Sequence, residues 1–171
     1  MYSAGVLPYA VVDGKLYFLL GMDRRDNSWS DFGGRSETGD SDDPRITAGR
    51  EFYEESAGAI MPYQGCLRTI QGCNAWRSLT VGKNDYYMFV ARIPYTETLP
   101  ETFTLILALA SYAKLHKKFT EKTKVAWFSY ERVLEAAQGG SGAGMRLRFV
   151  FADSLQRNKE QLKKFAREVL S

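Results

Sequence analysis

Histidine and cysteine are almost missing from this chain: His116, Cys66 and Cys73 are the complete set among 171 residues. Two cysteines make no disulfide framework. They read as free, buried thiols of a reducing, cytoplasmic setting in preference to a disulfide or a soft-metal site. A lone histidine beside Lys117 and Lys118 at a helix end is more simply a partner of the helix dipole than a catalyst. No run of eighteen apolar residues occurs, and the first residues lack a basic-then-apolar leader, so neither a membrane span nor a signal peptide is expected. There is no internal repeat, and the one biased tract, Gly139 to Gly144, reads as a surface loop. Charge of one sign is also scarce. Twenty-three basic against 20 acidic residues leave a net +3, too little to argue for nucleic acid but compatible with a small anionic substrate.

What is present is ordinary globular composition, 44% apolar and 25% charged, in a length that fits one domain, 1–171. Asp13-Gly14 between apolar runs predicts a hairpin of strands Ser3–Val12 and Lys15–Gly21. Asp23 to Ser30 reads as a loop, and Trp29 to Phe32 lead into Gly33 and Gly34, which allow close backbone approach and positive φ. Further strands are expected over Cys66–Cys73, Arg77–Val81, Tyr86–Ile93 and Lys124–Phe128. The apolar Tyr86–Ala91 stretch should be central and covered on both faces. Helices are expected over Asp43–Ala57, Glu101–Lys118, Tyr130–Ala137 and Ser154–Leu170. Asp43 and Pro44 suit the N-cap and first position of the first helix, with Gly58 as its left-handed stop. Gly49 inside it costs about 1 kcal/mol against alanine, which a close approach of another backbone or of the glycine loop would explain. Interleaved strands and helices point to an α/β/α sandwich with a mixed sheet.

The chemistry concentrates in Arg50-Glu51-Phe52-Tyr53-Glu54-Glu55. At about 100° per residue, Glu51, Glu54 and Glu55 share an arc of roughly 100° on one helix face. Like charges so placed repel unless a cation sits among them. A hard divalent ion suits the set, because Mg²⁺ takes oxygens from a few carboxylates and completes its shell with water and phosphate.

The segment resembles the signature of the Nudix hydrolases, G-x5-E-x7-R-E-U-x-E-E-x-G-U. Gly34 matches the leading glycine and Arg50, Glu51, Phe52, Glu54 and Glu55 match the core. Asp40 stands where a glutamate is expected, separated from the arginine by nine residues rather than seven, and Gly58 falls one place late. The resemblance implies an α/β Nudix-like α/β/α sandwich, and Mg²⁺ (or Mn²⁺) held by Glu51, Glu54 and Glu55 with the carbonyl of Gly34. It also implies a base drawn either from the helix (Glu51 or Glu54) or from a loop before a late strand, where Glu121 lies. Arg50 would orient a carboxylate. Asp40 would hold metal through water or cap the loop.

The implied reaction is hydrolysis of the diphosphate linkage in a nucleoside diphosphate joined to another group X. Arg24, Arg25, Lys83, Lys117 and Lys118 are candidates for phosphates. Trp29, Phe32, Trp76 and Tyr87 are candidates to stack a base, although core packing explains most aromatics. The alternatives are a Nudix-shaped module that binds a nucleotide or a protein without cleaving it, and, with little support from a charge of +3, an mRNA-decapping enzyme. The insertion around Glu97 to Lys118 would cover the pocket or form the contact of a homodimer.

Overall fold

The computed structural model describes residues 1–80, 84–139 and 144–171. Lys83, Val81 and most of the Gly139–Gly144 tract fall outside the described residues. Among the described residues, seven strands and six helices follow one another as β1 (Ser3–Val12), β2 (Lys15–Asp23), β3 (Trp29–Ser30), β4 (Phe32–Arg35), α1 (Pro44–Glu55), α2 (Tyr63–Ile70), β5 (Ala75–Leu79), β6 (Asp85–Arg92), α3 (Leu99–Tyr112), β7 (Lys122–Ser129), α4 (Tyr130–Ala137), α5 (Phe149–Arg157) and α6 (Lys159–Leu170).

β1 organises the sheet. Its first half pairs antiparallel with β4 and its second half with β2, while β6 runs parallel along the other edge. β7 and β3 pair with β2, and β5 with β6. One parallel pair among antiparallel ones makes the sheet mixed, as expected. The Asp13-Gly14 turn has positive φ at both residues (48° and 71°), the geometry that closes a two-residue hairpin without splaying its strands.

Strand alternation divides the apolar residues into two cores. On β2, Leu16, Phe18 and Leu20 face one core while Leu19 faces the other. On β6, Tyr86, Met88 and Val90 oppose Phe89 and Ala91 in the same way. The first core is closed by Val133 of α4, Phe151 of α5 and Leu162 of α6. The second is closed by Phe52 of α1, Ile70 of α2 and Phe103 of α3. These are the two outer layers of an α/β/α sandwich, and β6 is covered on both faces. Among the described residues, no helix is long and apolar enough to cross a membrane.

Several sequence expectations need correction, among them the Asp23–Ser30 loop, whose last two residues form β3. Cys66–Cys73 is not a strand: α2 takes Tyr63–Ile70, with Cys66 and Ile70 buried one helical turn apart. A four-residue spacing of apolar side chains is the helical signal, but over eight residues it is too short to separate from alternation. Both thiols are free, and burial pushes Cys66 up to about 12. The terminal helix is two helices, α5 beginning at Phe149 and the break falling at Asn158, whose side-chain amide donates to the Ser154 carbonyl at 2.9 Å. The third helix stops at Tyr112, and Lys114 is left-handed (φ 53°). His116 therefore caps a separate 3₁₀ turn, Lys117–Thr120, instead of ending α3. Lastly, Gly33 and Gly34 lie in strand β4 opposite Gly5 and Ala4, without positive φ. Their use is close approach: a methyl on Gly33 would meet the Gly5 Cα at 2.7 Å.

Gly49 is explained by a side chain, not by a backbone or the glycine loop. A methyl there would meet Leu67 Cδ2 of α2 at 2.5 Å. The inserted helix α3 turns Phe103, Leu107 and Ala110 inward and leaves Leu105, Leu109 and Tyr112 exposed.

Candidate active site

α1 begins where the Asp43 carboxylate accepts from the Arg45 N–H at 2.9 Å, with Pro44 at the first position. It ends at Glu55, just before left-handed Ala57 and Gly58. The helix packs against β1 and β4, so the carboxylate face expected from the sequence is pressed under the glycine strand. It does not gather all three carboxylates at one place. Glu51 and Glu54 face a cavity of about 520 Å³ that Gly33, Gly34, Arg25, Lys118, Glu121 and Arg148 also line. Glu55 is enclosed behind the strand, 2% exposed, where it accepts the Gly33 N–H at 2.8 Å.

Each carboxylate has a cation. Glu51 meets Arg50 at 2.8 Å, Glu54 meets Lys118 at 2.6 Å and Arg50 at 3.3 Å, and Glu55 lies 3.6 Å from Lys122. Burial nevertheless raises Glu51 to about 7, against the attraction of Arg50, with Glu54 and Glu121 adding repulsion. Burial likewise raises Glu55 to about 8, against Lys122. Near neutral pH the metal-free face therefore carries less charge than its sequence suggests, which relieves the repulsion between neighbours.

Arg50 is the hub of the site. It grips Asp40 through two bonds (2.9 and 3.0 Å), reaches Glu51 and Glu54, and donates to the Arg35 carbonyl at 2.9 Å. Asp40 is 3% exposed and also accepts from the Glu37 N–H and the Thr47 hydroxyl. It is thus the anchor of the loop into α1. Burial works to raise its pKa, but the bonds from Arg50 and its other donors win and hold it down to about 2. Arg50→Ala would leave this buried charge without its partner, at a cost of about 3 kcal/mol. For a chain of this size that is a fall in Tm of about 10 °C. A carboxyl depressed below its ordinary 3.8 contributes stability above that pH and loses it as pH falls towards 2. The stability gap between wild type and variant, read by denaturant unfolding, should be widest above pH 4 and close towards pH 2.

Gly34 touches the site directly. A methyl there would lie 2.5 Å from the Glu51 carboxyl carbon and from one of its oxygens. The obstructed group is the far end of a flexible side chain, so Glu51 can swing aside without disturbing β4. Gly34→Ala should keep the wild-type Tm within about 2 °C, the span of half a kcal/mol, while the hydrolysis that the sequence resemblance implies falls at least tenfold. Activity that survives unchanged would separate Glu51 from the chemistry.

Two residues that the sequence did not single out help build the site. Lys122, 0% exposed, runs its stem over Gly21 and places Nζ 2.7 Å from Ser30 Oγ and 3.3 Å from Asp23. Arg148 lines the carboxylate cavity and two others, 3.7 Å from Asp23. Nearby, Asp31 accepts from the buried Tyr86 hydroxyl and is pushed by burial up to about 6. Of the remaining candidates, Glu121 lines the cavity with Glu51 and Glu54, its carbonyl fixed by the Arg24 N–H at 2.8 Å. Arg24 and Arg25 line an adjoining cavity. Trp29 is elsewhere, its ring edge-on to Phe128 in the first core. Phe32 and Trp76 are buried, and Tyr87 packs against Tyr2.

This arrangement, a mixed sheet between helices with a glycine strand laid over an acidic helix, has known counterparts. An Ap4A hydrolase of C. elegans, solved as a binary complex, superposes with a TM-score of 0.58 at 17% identity, covering 98% of this chain and 97% of that one. The Nudix domain of Shewanella oneidensis NrtR, complexed with ADP ribose, gives 0.57 at 14% identity over 95% and 88%. RenU, a Nudix hydrolase of M. smegmatis, gives 0.54 at 17% over 96% and 88%. The chain has the Nudix fold. No family model matches the sequence. An uncharacterized protein of Acanthamoeba polyphaga mimivirus, L534, is 38% identical over 60 residues, a match that takes in 32% of this chain and 19% of the viral protein.

The acidic face suits the divalent ion that Nudix chemistry implies. Its donors are hard oxygens, and the absence of a side chain at Gly34 lets the Glu51 carboxylate occupy the place a methyl would fill. Among the described residues, no three acidic, cysteine or histidine side chains converge as a ready-made cage. Mg²⁺ does not require one, since it commonly takes one or two carboxylates and fills its octahedron with water and substrate phosphates. Glu51 and Glu54 fit that pattern once Lys118 releases Glu54.

Proposed function

We infer that this chain is a divalent-cation-dependent hydrolase of phosphoric anhydride bonds, acting on a nucleoside diphosphate joined to a further group X. One observation supports this above the rest: Glu51, Glu54 and Glu121 share a single cavity with Arg25, Lys118 and Arg148. That set offers carboxylates for a cation and a proton beside cations for phosphate oxygens.

Glu51 and Glu54 would hold Mg²⁺ or Mn²⁺, with the Gly34 carbonyl beside them and Glu55 fixing the glycine strand from behind. When bound, the ion supplies positive charge against phosphoryl oxygens and acidifies water. Arg25 and Arg148 bind and orient the diphosphate. Glu121, in the same cavity, accepts the proton of a water that attacks phosphorus in line as the bridging P–O bond breaks. Two phosphate monoesters leave, one carrying the nucleoside and one carrying X. Arg50 reaches neither water nor substrate in this scheme; anchored on Asp40, it holds Glu51 in place by a direct bond.

A panel of diphosphate compounds incubated with Mg²⁺ and scored by product mass tests this reading and identifies the phosphorus attacked. The expected result is a pair of monoesters from at least one compound. A second reading, a Nudix-shaped module that binds without cleaving, is favoured by the closure of Lys118 on Glu54 at 2.6 Å. Binding without products would select it.

A further inference from the structure

A second cavity, of about 470 Å³, opens beside the carboxylates and shares Arg25, Glu121 and Arg148 with theirs. It is of a size that holds a small ligand. Its wall is cationic: Arg24, Arg25, Lys117 and Arg148 all line it. Three acids line it too, but two are already neutralised. Asp23 is met by the buried Lys122 and by Arg148, and Asp26 is met by Arg146 at 3.2 Å and by the Ser28 hydroxyl. Arg24 is braced, its Nε donating to the Thr120 carbonyl at 2.7 Å. Arg25 and Lys117 have no ion-pair partner among the described residues. No aromatic side chain is among the described residues that line this cavity, and the candidate base-stacking rings are taken up by packing. A nucleobase would find no plane to stack on here, whereas phosphate oxygens would find guanidinium groups with free donors.

We propose that group X, the part of the substrate lying beyond the scissile diphosphate, is itself phosphorylated and binds in this cavity through Arg24, Arg25, Lys117 and Arg148. The assignment rests on the reading of the neighbouring carboxylates as the anhydride-cleaving site. Two adjoining cavities, one holding the carboxylates and the other lined by cations, then select for compounds with phosphate groups on the far side of the broken bond. Those phosphates could sit on a ring or in a linear chain; the chemistry recognised is the same.

The test is titration calorimetry on the full chain in magnesium-free buffer with inositol hexakisphosphate, inorganic tripolyphosphate and ADP-ribose. At least one of the two polyanions should bind ten times more tightly than ADP-ribose. Arg24→Ala and Lys117→Ala, at residues that line this cavity and not that of the carboxylates, should each weaken that polyanion about tenfold, the usual loss of one charge-assisted contact, and leave ADP-ribose unchanged. Tighter binding of the hexakisphosphate points to a phosphorylated ring, and tighter binding of tripolyphosphate points to a chain. Polyanion binding indifferent to both substitutions, or ADP-ribose bound as tightly as either polyanion, overturns the proposal. Parallel assays with Mg²⁺ keep the two readings apart. ADP-ribose cleavage undisturbed in both variants, with no polyanion preference, removes the cavity assignment alone. Variant-sensitive polyanion binding with no cleavage of any diphosphate removes the hydrolase reading alone.

Discussion

Glu54→Gln is expected to lower hydrolysis by about a hundredfold or more while leaving the fold nearly as stable as wild type. Losing a carboxylate that neutralises or positions the cation forfeits several kcal/mol of transition-state stabilisation, and each 1.36 kcal/mol is a factor of ten. The structural cost is small for reasons visible around the side chain. Glutamine keeps the shape and can still accept from Lys118, which is 39% exposed and can return to solvent. Arg50 retains Asp40 and Glu51. Thermal unfolding beside turnover separates the two effects. A variant that unfolds normally and turns over at the wild-type rate would show that Glu54 is merely an ion-pairing residue of α1.

The second large effect belongs to Lys122. Lys122→Met preserves the stem over Gly21 but removes the charge, so Asp23 and Glu55 lose a buried counterion at once. Breaking a buried pair from one side costs about 3–5 kcal/mol because the remaining charge stays desolvated. In a chain of this size the melting temperature should fall by about 10 °C or more. Adding Asp23→Asn to that variant should recover part of the loss, because the carboxylate nearest the missing charge, 3.3 Å from Lys122 Nζ, is then neutral. A single variant as stable as wild type, or a double variant no better than the single, would mean that Lys122 is not the counterion of this cluster.

These two predictions also mark what the amino-acid order could and could not reveal. Glu51 and Glu54 were legible because the helix repeat alone puts them on one face, and Asp43-Pro44 fixes where that face begins. The β1–β2 hairpin and the central β6 were legible for similar reasons, a two-residue turn and a strand-length apolar run. Glu55 shares the same arc, yet the strand above divides it from its neighbours. That separation depends on β4 pairing with the first half of β1, which no local pattern announces. Lys122 stands next to Glu121 in sequence and looks like another solvated charge. Only the β2–β7 register, which lays its stem over Gly21, buries it. Arg148 is a long-range case as well, brought to three cavities by the bond from its N–H to the Trp29 carbonyl at 2.8 Å. Trp29 itself had the composition of a base-stacking residue, and the same strand pairing commits it to the core.

The most direct test of the account is Mn²⁺ binding to the full chain followed by electron paramagnetic resonance, since Mn²⁺ accepts the oxygen donors that suit Mg²⁺. Wild type should bind at least one ion per chain, and the Glu51→Gln/Glu54→Gln double variant, folded by circular dichroism, should lose it. Equal binding by the two proteins would contradict the claim that these carboxylates gather a cation beneath the glycine strand.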